Sequence, residues 1–335
     1  TGQNVQVGDW VQVTGQAQWN VEGAFASYSF SKGEFLSLWL EGELESADPG
    51  RAFWRSWIPT LRQRLLTAVK RAIPQQEEAA VVCSMVFGDS SGLSLHQEIV
   101  LRRAGTVHFT AVSGLHVTLV GFLCLALFTR LLRKKRLVLA VTVGGIWLFV
   151  ALVGWSPSAV RAGFMLSVMY LGQLLSQRSD SLNSLGLAVT VMTIMSPNVA
   201  LDVGFWMSVC ATAGILLLAG PLEELLRNRF FPRVTPKGRK VLSLFAVGIC
   251  ALVAVSVVTL VQFGYVTPLS PVASLVVSPL APILLVFGIF TALLGQVPLL
   301  LPLAKVTGWV AGLCASILWQ VSEIFAKIPF SAVSV

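Results

Sequence analysis

Two histidines and a serine stand close together in one apolar stretch of the sequence, AGTVHFTAVSGLHVTLVG. In a helix, Ser113 and His116 would be three residues apart and would share a face. His108 precedes His116 by eight residues, which places it about 80° round the helix. Because imidazole and hydroxyl groups are costly in lipid, we expect them to face the protein interior or a pore. A pair of hydrogen-bonded histidines between helices or at the interface is an equally good interpretation.

A serine beside a glycine and near a histidine also raises the question of nucleophilic catalysis. Ser113-Gly114 resembles the serine motif of intramembrane serine proteases, but its GxSG context is absent. His116 is also too close in sequence to copy a serine–histidine dyad formed between two helices. The chain lacks the GxxxxGKS/T loop of NTPases and the HExxH motif of zinc proteases. We therefore predict no enzyme activity and no NTPase motor.

One arginine and two aspartates are further candidates for a polar site. Arg161 lies in PSAVRAGFM, where it either snorkels to the outer interface or faces inward to meet an anion or a carboxylate. Asp202, at the start of a later apolar run, is a candidate partner for it. Asp89 follows Gly88 after the apolar run 79–87 and either caps or turns the chain or belongs to the site.

The composition indicates which class of protein carries these residues. Of the 335 residues, 55% are hydrophobic and 12% are charged, and the mean hydropathy is +0.77. A soluble globular chain carries about twice that charged fraction. The five cysteines form no CxxC pair, so we expect neither a disulfide framework nor a metal or other cofactor. The sequence predicts a multi-span membrane protein and argues against a soluble enzyme.

Eight apolar runs are candidates for membrane-spanning helices, each of which needs about 20 apolar residues. They are 107–129, 137–155, 158–175, 182–196, 200–220, 241–263, 271–294 and 307–325. The run 182–196 is short, and proline recurs in the run 271–294 and just before it. Unwound backbone is tolerated at membrane depth only where protein or a water-filled cavity surrounds it. The pattern therefore indicates a lined cavity rather than a plain bundle.

The chain divides by composition into three predicted regions. Residues 1–50 contain segments that alternate apolar and polar residues and are predicted to form a small β unit. Residues 51–105 are predicted to form amphipathic helices, one of which lies in the membrane interface or packs on the β unit. Residues 106–325 form the predicted transmembrane domain. Basic loops around 130–136 and 227–240 should be cytoplasmic, which places the N-terminal segment outside the cytoplasm.

Four stretches, taken together and in order, resemble the competence domain of ComEC-type DNA-internalisation proteins. The stretch LRRAGTVHFTAVSGLHV (101–117) has Gly105, His108, Ser113, Gly114 and His116 at the spacing of the family signature. The other three are VFGDSSGLS (86–94), PSAVRAGFM (157–165) and SPNVALDVGFWMSVCATAGI (196–215). They are similar to the family's Gly-Asp, Arg-Ala-x-x-Met and Gly-Phe-x-x-Ser segments respectively.

The resemblance implies an all-α polytopic membrane protein of about eight transmembrane helices, with a small extracytoplasmic β unit that is the later part of an OB-like domain. It implies a channel in the bacterial cytoplasmic (inner) membrane that passes one DNA strand during natural transformation. The residues that would line this channel or contact DNA are His108, Ser113, Gly114, His116, Arg161, Asp202 and Asp89. No histidine follows His116, so we expect no metallo-β-lactamase-like nuclease domain in this chain.

The implied partners are single-stranded DNA, the lipid bilayer, an extracytoplasmic DNA receptor, and a cytoplasmic helicase or translocase with single-strand-binding proteins. A motor is needed because moving one anionic charge towards a negative interior costs about 2.3 kcal/mol per 100 mV. Two alternatives remain: a secondary transporter for a small anion, and a non-transporting scaffold for DNA-uptake proteins. Whether the protein forms a homo-oligomer is left open.

Overall fold

The computed structural model describes residues 10–12, 15–19, 36–40, 46–48, 53–175, 180–230, 235–263, 265–328 and 333–334. Four short strands lie near the N-terminus: β1 (Trp10–Gln12), β2 (Gly15–Trp19), β3 (Leu36–Leu40) and β4 (Ser46–Asp48). They form two antiparallel pairs, β1 with β4 and β2 with β3. All other residues of 1–50 lie outside the described part, so the partial OB-like fold stays a prediction.

Twelve helices follow in the described residues, connected by short 3₁₀ turns and loops. They are α1 (Phe53–Ala72), α2 (Gln76–Phe87), α3 (Leu95–Arg103), α4 (Gly114–Leu131), α5 (Lys135–Leu152), α6 (Pro157–Leu174), α7 (Ser181–Met195), α8 (Val203–Phe230), α9 (Pro236–Phe263), α10 (Ser270–Val277), α11 (Leu280–Leu294) and α12 (Leu301–Ala326). A two-residue strand, β5 (Tyr265–Val266), pairs with β6 (Val333–Ser334).

The described chain is that of an α-helical, multi-pass membrane protein. Among the described residues, five helical segments are long and apolar enough to cross a membrane: Val107–Leu131, Lys135–Leu152, Val203–Phe230, Gly238–Gln262 and Pro298–Ala326. The pair α10 and α11, bent by 50° at its break, adds a sixth if it counts as one span. This bend lies in the proline-containing segment whose interruption was expected from the sequence.

The predicted count of eight spans is not confirmed. The run 182–196 forms the 15-residue helix α7, which is about 22 Å long and shorter than a hydrocarbon core of about 30 Å. The run 158–175 forms α6, which has 18 residues but carries Arg161 and Gln173 and is not among the spans. Length in α7 and polarity in α6 are the physical reasons that these two runs fail as ordinary spans.

The centre of the helical body is a short helix that the sequence interpretation did not count as a span. All residues of α2 from 79 to 87 are buried, and the helix packs against α1, α11 and α12. A helix that is apolar all round is expected to be enclosed by protein or lipid. The apolar face of α1, including Leu65 and Val69, belongs to the same core as Leu285 and Leu318 of the later helices. The region 51–105 therefore contributes to the main core.

A second core joins α4 and α6, which carry polar motifs, to α5 between them in the chain. Val117 of α4, Ile146 of α5 and Ala162 of α6 are buried together, with Tyr170 at the far end of α6. Helix α8 packs along α9 and also contacts α6 and α7. This arrangement places the beginnings of α4, α6 and α8 near one another at one end of the body.

Candidate functional site

The signature loop, defined as residues 104–113, is held by hydrogen bonds from three distant helices. Ser84 of α2 donates through Oγ to the Thr110 carbonyl at 3.0 Å, and Ser270 of α10 donates to the Gly105 carbonyl at 2.8 Å. Thr106 Oγ1 and Ser322 Oγ of α12 lie 2.9 Å apart. These bonds satisfy carbonyl and hydroxyl groups that would otherwise be buried without partners. They also fix the loop relative to the core.

The bond between Thr106 and Ser322 predicts a measurable energetic coupling, because both side chains are fully buried. We expect Thr106→Val and Ser322→Ala to interact by about 0.5–1.5 kcal/mol in a double-mutant cycle, which is the range for hydrogen bonds between membrane helices. The measurement is chemical unfolding in detergent micelles. Thr118→Val and Ser256→Ala are the control pair, since each of these exposed hydroxyls bonds within its own helix. A coupling of zero between Thr106 and Ser322 would contradict the prediction.

Ser113 and His116 make direct contact at the start of α4. Ser113 is the N-cap residue; its backbone N–H donates to His116 Nδ1 at 3.1 Å, and its Oγ lies 2.8 Å from the same nitrogen. A nitrogen that accepts from N–H carries no proton, so the proton of the neutral ring is on Nε2. His116 also hydrogen-bonds the backbone carbonyl of Met85 in α2. The buried imidazole therefore joins the start of α4 to the central helix.

His108 and Asp89 lie in different surroundings from this pair. His108 is exposed, its Nδ1 is 2.9 Å from the Gly105 carbonyl, and its ring lies 4.3 Å from that of Phe109. Asp89 accepts a hydrogen bond from Ser91 Oγ at 2.8 Å, next to the left-handed Gly88 that ends α2. The structure thus brings Ser113 and His116 together but does not join His108 to them by a hydrogen bond among the described residues.

Arg161 is a buried cation whose hydrogen-bond partners are neutral. Only 7% of the residue is exposed. Its Nε donates to Ser208 Oγ at 3.0 Å, and Nη1 donates to Thr212 Oγ1 and contacts Met165 Sδ at 3.7 Å. The three ion pairs within the described residues all lie elsewhere, at Arg227–Glu224, Arg239–Glu223 and Lys327–Glu323. Arg161 therefore faces into the protein.

The Nη2 side of the guanidinium lies near the start of α4. A Cβ atom placed on Gly114 would lie 3.6 Å from Arg161 Nη2. Asp202, the suggested carboxylate partner, accepts from the Phe205 N–H at 3.0 Å at the start of α8. Buried charges in proteins are normally paired with an opposite charge or a dense set of hydrogen bonds. The Arg161 guanidinium has the second kind of support, because its Nε and Nη1 donate to the hydroxyl groups of Ser208 and Thr212.

The four sequence motifs meet at one cavity of about 380 Å³. Its lining includes one or more residues from each motif or from its flank, namely Gly88, Arg102, Val112, Pro157, Ser158 and Gly204. Ser113, Asp89 and Asp202 are each within two positions of a lining residue, and Arg161 is three positions after Ser158. Motif spacing did not select Glu98, Arg102 and Ser156, which also line the cavity. Glu98 and Ser156 lie just outside the four motifs, and nothing within its motif distinguishes Arg102 from the adjacent Arg103. Among the described residues, no group of three or more His, Cys, Asp and Glu could hold a metal ion.

Fold and site together define a multi-pass helical membrane protein with a cavity, lined by polar and apolar residues, where its motif helices begin. Residues 85–335 match the sequence model of the competence protein family. This match covers well over half of the chain, and the chain therefore belongs to the competence protein family. The family that the four motifs suggested from the sequence is thus confirmed.

Three curated relatives are similar over parts of their length. An uncharacterized protein of Aquifex aeolicus is 30% identical over 234 residues, which is 70% of this chain and 52% of that protein. Recombination protein 2 of Haemophilus influenzae is 27% identical over 252 residues, 70% of this chain and 31% of that protein. ComE operon protein 3 of Bacillus subtilis is 24% identical over 170 residues, 50% of this chain and 22% of that protein. The matched regions thus span about half of these relatives or less, and no solved structure matches significantly.

Proposed function

We propose that this chain forms the part of a DNA-uptake channel through which one DNA strand crosses the cytoplasmic membrane. The relatives named for competence and recombination support a role in DNA uptake. The single observation that carries the finer proposal is Arg161, a buried guanidinium whose hydrogen-bond partners are neutral and whose Nη2 lies on the side of Gly114. A passing phosphodiester supplies the negative charge that this site lacks.

The direction of passage is proposed from the positions of the charged loops. Helices α4 and α8 begin near the cavity and end at the basic segments 130–136 and 227–240. Basic loops favour the cytoplasmic side, which would place the cavity and the N-terminal segment outside. The strand would then meet the cavity first and Arg161 next, since Arg161 lies one helical turn beyond Ser158 and Pro157.

The proposal requires other proteins for directional movement. Each anionic charge that moves to the negative side costs about 2.3 kcal/mol per 100 mV, and the sequence contains no P-loop motif. We therefore propose a cytoplasmic helicase or translocase and single-strand-binding proteins as partners, with a DNA receptor on the outer side. No catalytic step is assigned to this chain. The Ser113–His116 contact is accounted for by capping of α4 and attachment to α2.

A second candidate is a secondary transporter for a small anion. Two observations favour it: the 50° break between α10 and α11, and a cavity whose volume of about 380 Å³ suits a small molecule. In that case Arg161 would bind the anion itself. The transporter and the channel differ in substrate size, so one experiment can separate them.

The experiment is ionic current through the purified chain in a planar bilayer, with and without single-stranded DNA on the cavity side. We expect discrete blockades whose duration increases with strand length, because a longer strand takes longer to pass. Double-stranded DNA of equal length is the control and should not enter. The absence of ionic current, combined with saturable uptake of a small anion into proteoliposomes, would instead support the transporter. The absence of both ionic current and anion uptake would favour the non-transporting scaffold.

A further inference from the structure

We propose that the cavity holds a single nucleotide of the strand, with the base against its apolar wall and the phosphate near Arg102. This inference rests on the proposed function, because it names the part of the substrate that the cavity binds. It also extends that function: the strand would be gripped one nucleotide at a time before it reaches Arg161.

The size and wall of the cavity suit one nucleotide. Its volume of about 380 Å³ is near the lower end of ligand cavities, which range from about 300 to 1,000 Å³. One part of the wall is apolar and includes Leu93, Leu101 and Val153. A nucleobase has two apolar faces and a polar edge, and single strands are bound through both. A cavity of this volume has no room for a duplex.

Ser156 supplies a polar group that has no use inside the folded chain. Its Oγ is buried and has no hydrogen-bond partner among the residues that the structure describes, although Ser156 lines the cavity. A buried hydroxyl without a partner is costly, because it has lost its hydrogen bonds to water. Rotation of the Ser156 side chain about χ1 would turn this hydroxyl towards the cavity, where the polar edge of a base can donate to it or accept from it. Ser158, two residues later, differs in that its Oγ already donates to the Val112 carbonyl.

The backbone before Ser156 is held in an unusual conformation. Gly154 has φ of 82° and Trp155 has φ of 58°, both in the left-handed region. A bulky side chain rarely adopts that region, and such residues concentrate at functional sites. This double left-handed turn reverses the chain between α5 and α6. As a result, both Val153 and Ser156 are part of the cavity wall.

Arg102 and Glu98 bring unpaired charges to the same cavity. They are four positions apart on α3 and both line the cavity, yet neither takes part in an ion pair among the residues that the structure describes. Arg102 is exposed and can donate two parallel hydrogen bonds to a phosphate. Glu98 can accept from the amino or imino group of a base. The negative charge of Glu98 would weaken the binding of a free small anion more than the binding of a nucleotide, because the base of a nucleotide offers hydrogen-bond donors.

The test is equilibrium binding of a fluorescent oligothymidylate to the full chain in lipid nanodiscs. Ala111→Trp fills the cavity from a lining position and should weaken binding at least tenfold. Ala200→Trp adds the same side chain at an exposed position outside the lining and should leave binding within about twofold. Equal affinity of the two variants would overturn the proposal.

Two milder variants keep the test valid if Ala111→Trp folds poorly. Ser156→Ala breaks no hydrogen bond of the described structure and should weaken binding about threefold to tenfold. Arg102→Gln should weaken it about tenfold or more, whereas Arg103→Gln, at the next exposed arginine outside the lining, should have little effect. If Ser156→Ala leaves the affinity unchanged and Arg102→Gln and Arg103→Gln bind equally well, the cavity does not bind the strand.

An abasic oligonucleotide of equal length separates base binding from phosphate binding. We expect the abasic oligonucleotide to bind the natural chain more weakly than oligothymidylate does. Its affinity should also fall less than that of oligothymidylate when Ser156→Ala is introduced. Equal binding of the two probes would overturn the nucleotide assignment, as would full competition by inorganic phosphate.

Failure of the nucleotide assignment can be distinguished from failure of the channel. Length-dependent current blockades without nucleotide binding in the cavity would reject the nucleotide assignment alone. Saturable nucleotide binding without blockades would reject the channel alone.

Discussion

Arg161→Gln is expected to reduce the passage of single-stranded DNA at least tenfold while leaving the fold intact or more stable. A hydrogen bond to a charged group contributes about 1.5–3 kcal/mol, which corresponds to a factor of about 10–100 in binding. The same substitution removes a buried cation that has neutral partners, Ser208 and Thr212, and so removes a desolvation cost. Strand passage and stability should therefore change independently or in opposite directions.

The measurement is the rate of current blockades together with thermal unfolding of the same preparation. Arg161→Lys keeps the charge but cannot bridge both hydroxyls in the manner of the planar guanidinium, so we expect an intermediate rate. Arg133→Gln, in the exposed basic segment, is the matched control and should change the rate by less than about twofold. A structural role for Arg161 predicts the reverse pattern, with stability lost first. If neither Arg161→Gln nor His116→Ala changes passage in an inserted protein, the site is wrongly assigned.

Gly105→Ala is expected to cost more stability than any other glycine-to-alanine change in the motif loops. Gly105 has φ of 70°, and a Cβ there would lie 2.5 Å from Ser270 Cβ and 2.7 Å from Ser270 Oγ. The left-handed conformation costs an alanine about 1–2 kcal/mol, and overpacking adds about 1–3 kcal/mol. The substitution would also push α10 away from the loop and break the bond from Ser270 to the Gly105 carbonyl.

Gly88→Ala is the matched control for the conformational part of this loss. Its φ of 68° is almost the same, but its Cβ would lie 3.2 Å from a methyl group of Val112, which can yield slightly. Thermal unfolding in detergent should therefore show a smaller loss for Gly88→Ala. Combining Gly105→Ala with Ser270→Gly should cost less than the sum of the two single losses, since the overlapping atoms are gone. Equal losses at Gly88 and Gly105 would show that Ser270 is not the obstacle.

The amino-acid sequence by itself determined the features that depend on composition and short spacing. High apolar content and few charges identified a multi-span membrane protein, because long apolar segments are stable only in lipid or in a core. The contact of Ser113 with His116 also followed from spacing, since residues three apart lie close at a helix start. Four ordered motifs sufficed to indicate the competence family, and the family match over 85–335 confirmed it.

Only the tertiary structure decided which distant residues meet. Arg161 finds its partners 47 and 51 positions away, Gly105 meets Ser270 across 165 positions, and Thr106 meets Ser322 across 216. The burial of α2 likewise depends on the helices around it, because a run of 12 residues is too short to be recognised as a span. Helical periodicity specifies which residues share a face within one helix. It does not specify which face of another helix will cover them. The packing of helix faces against one another formed the cavity, and it left Arg161 without a carboxylate partner among the described residues.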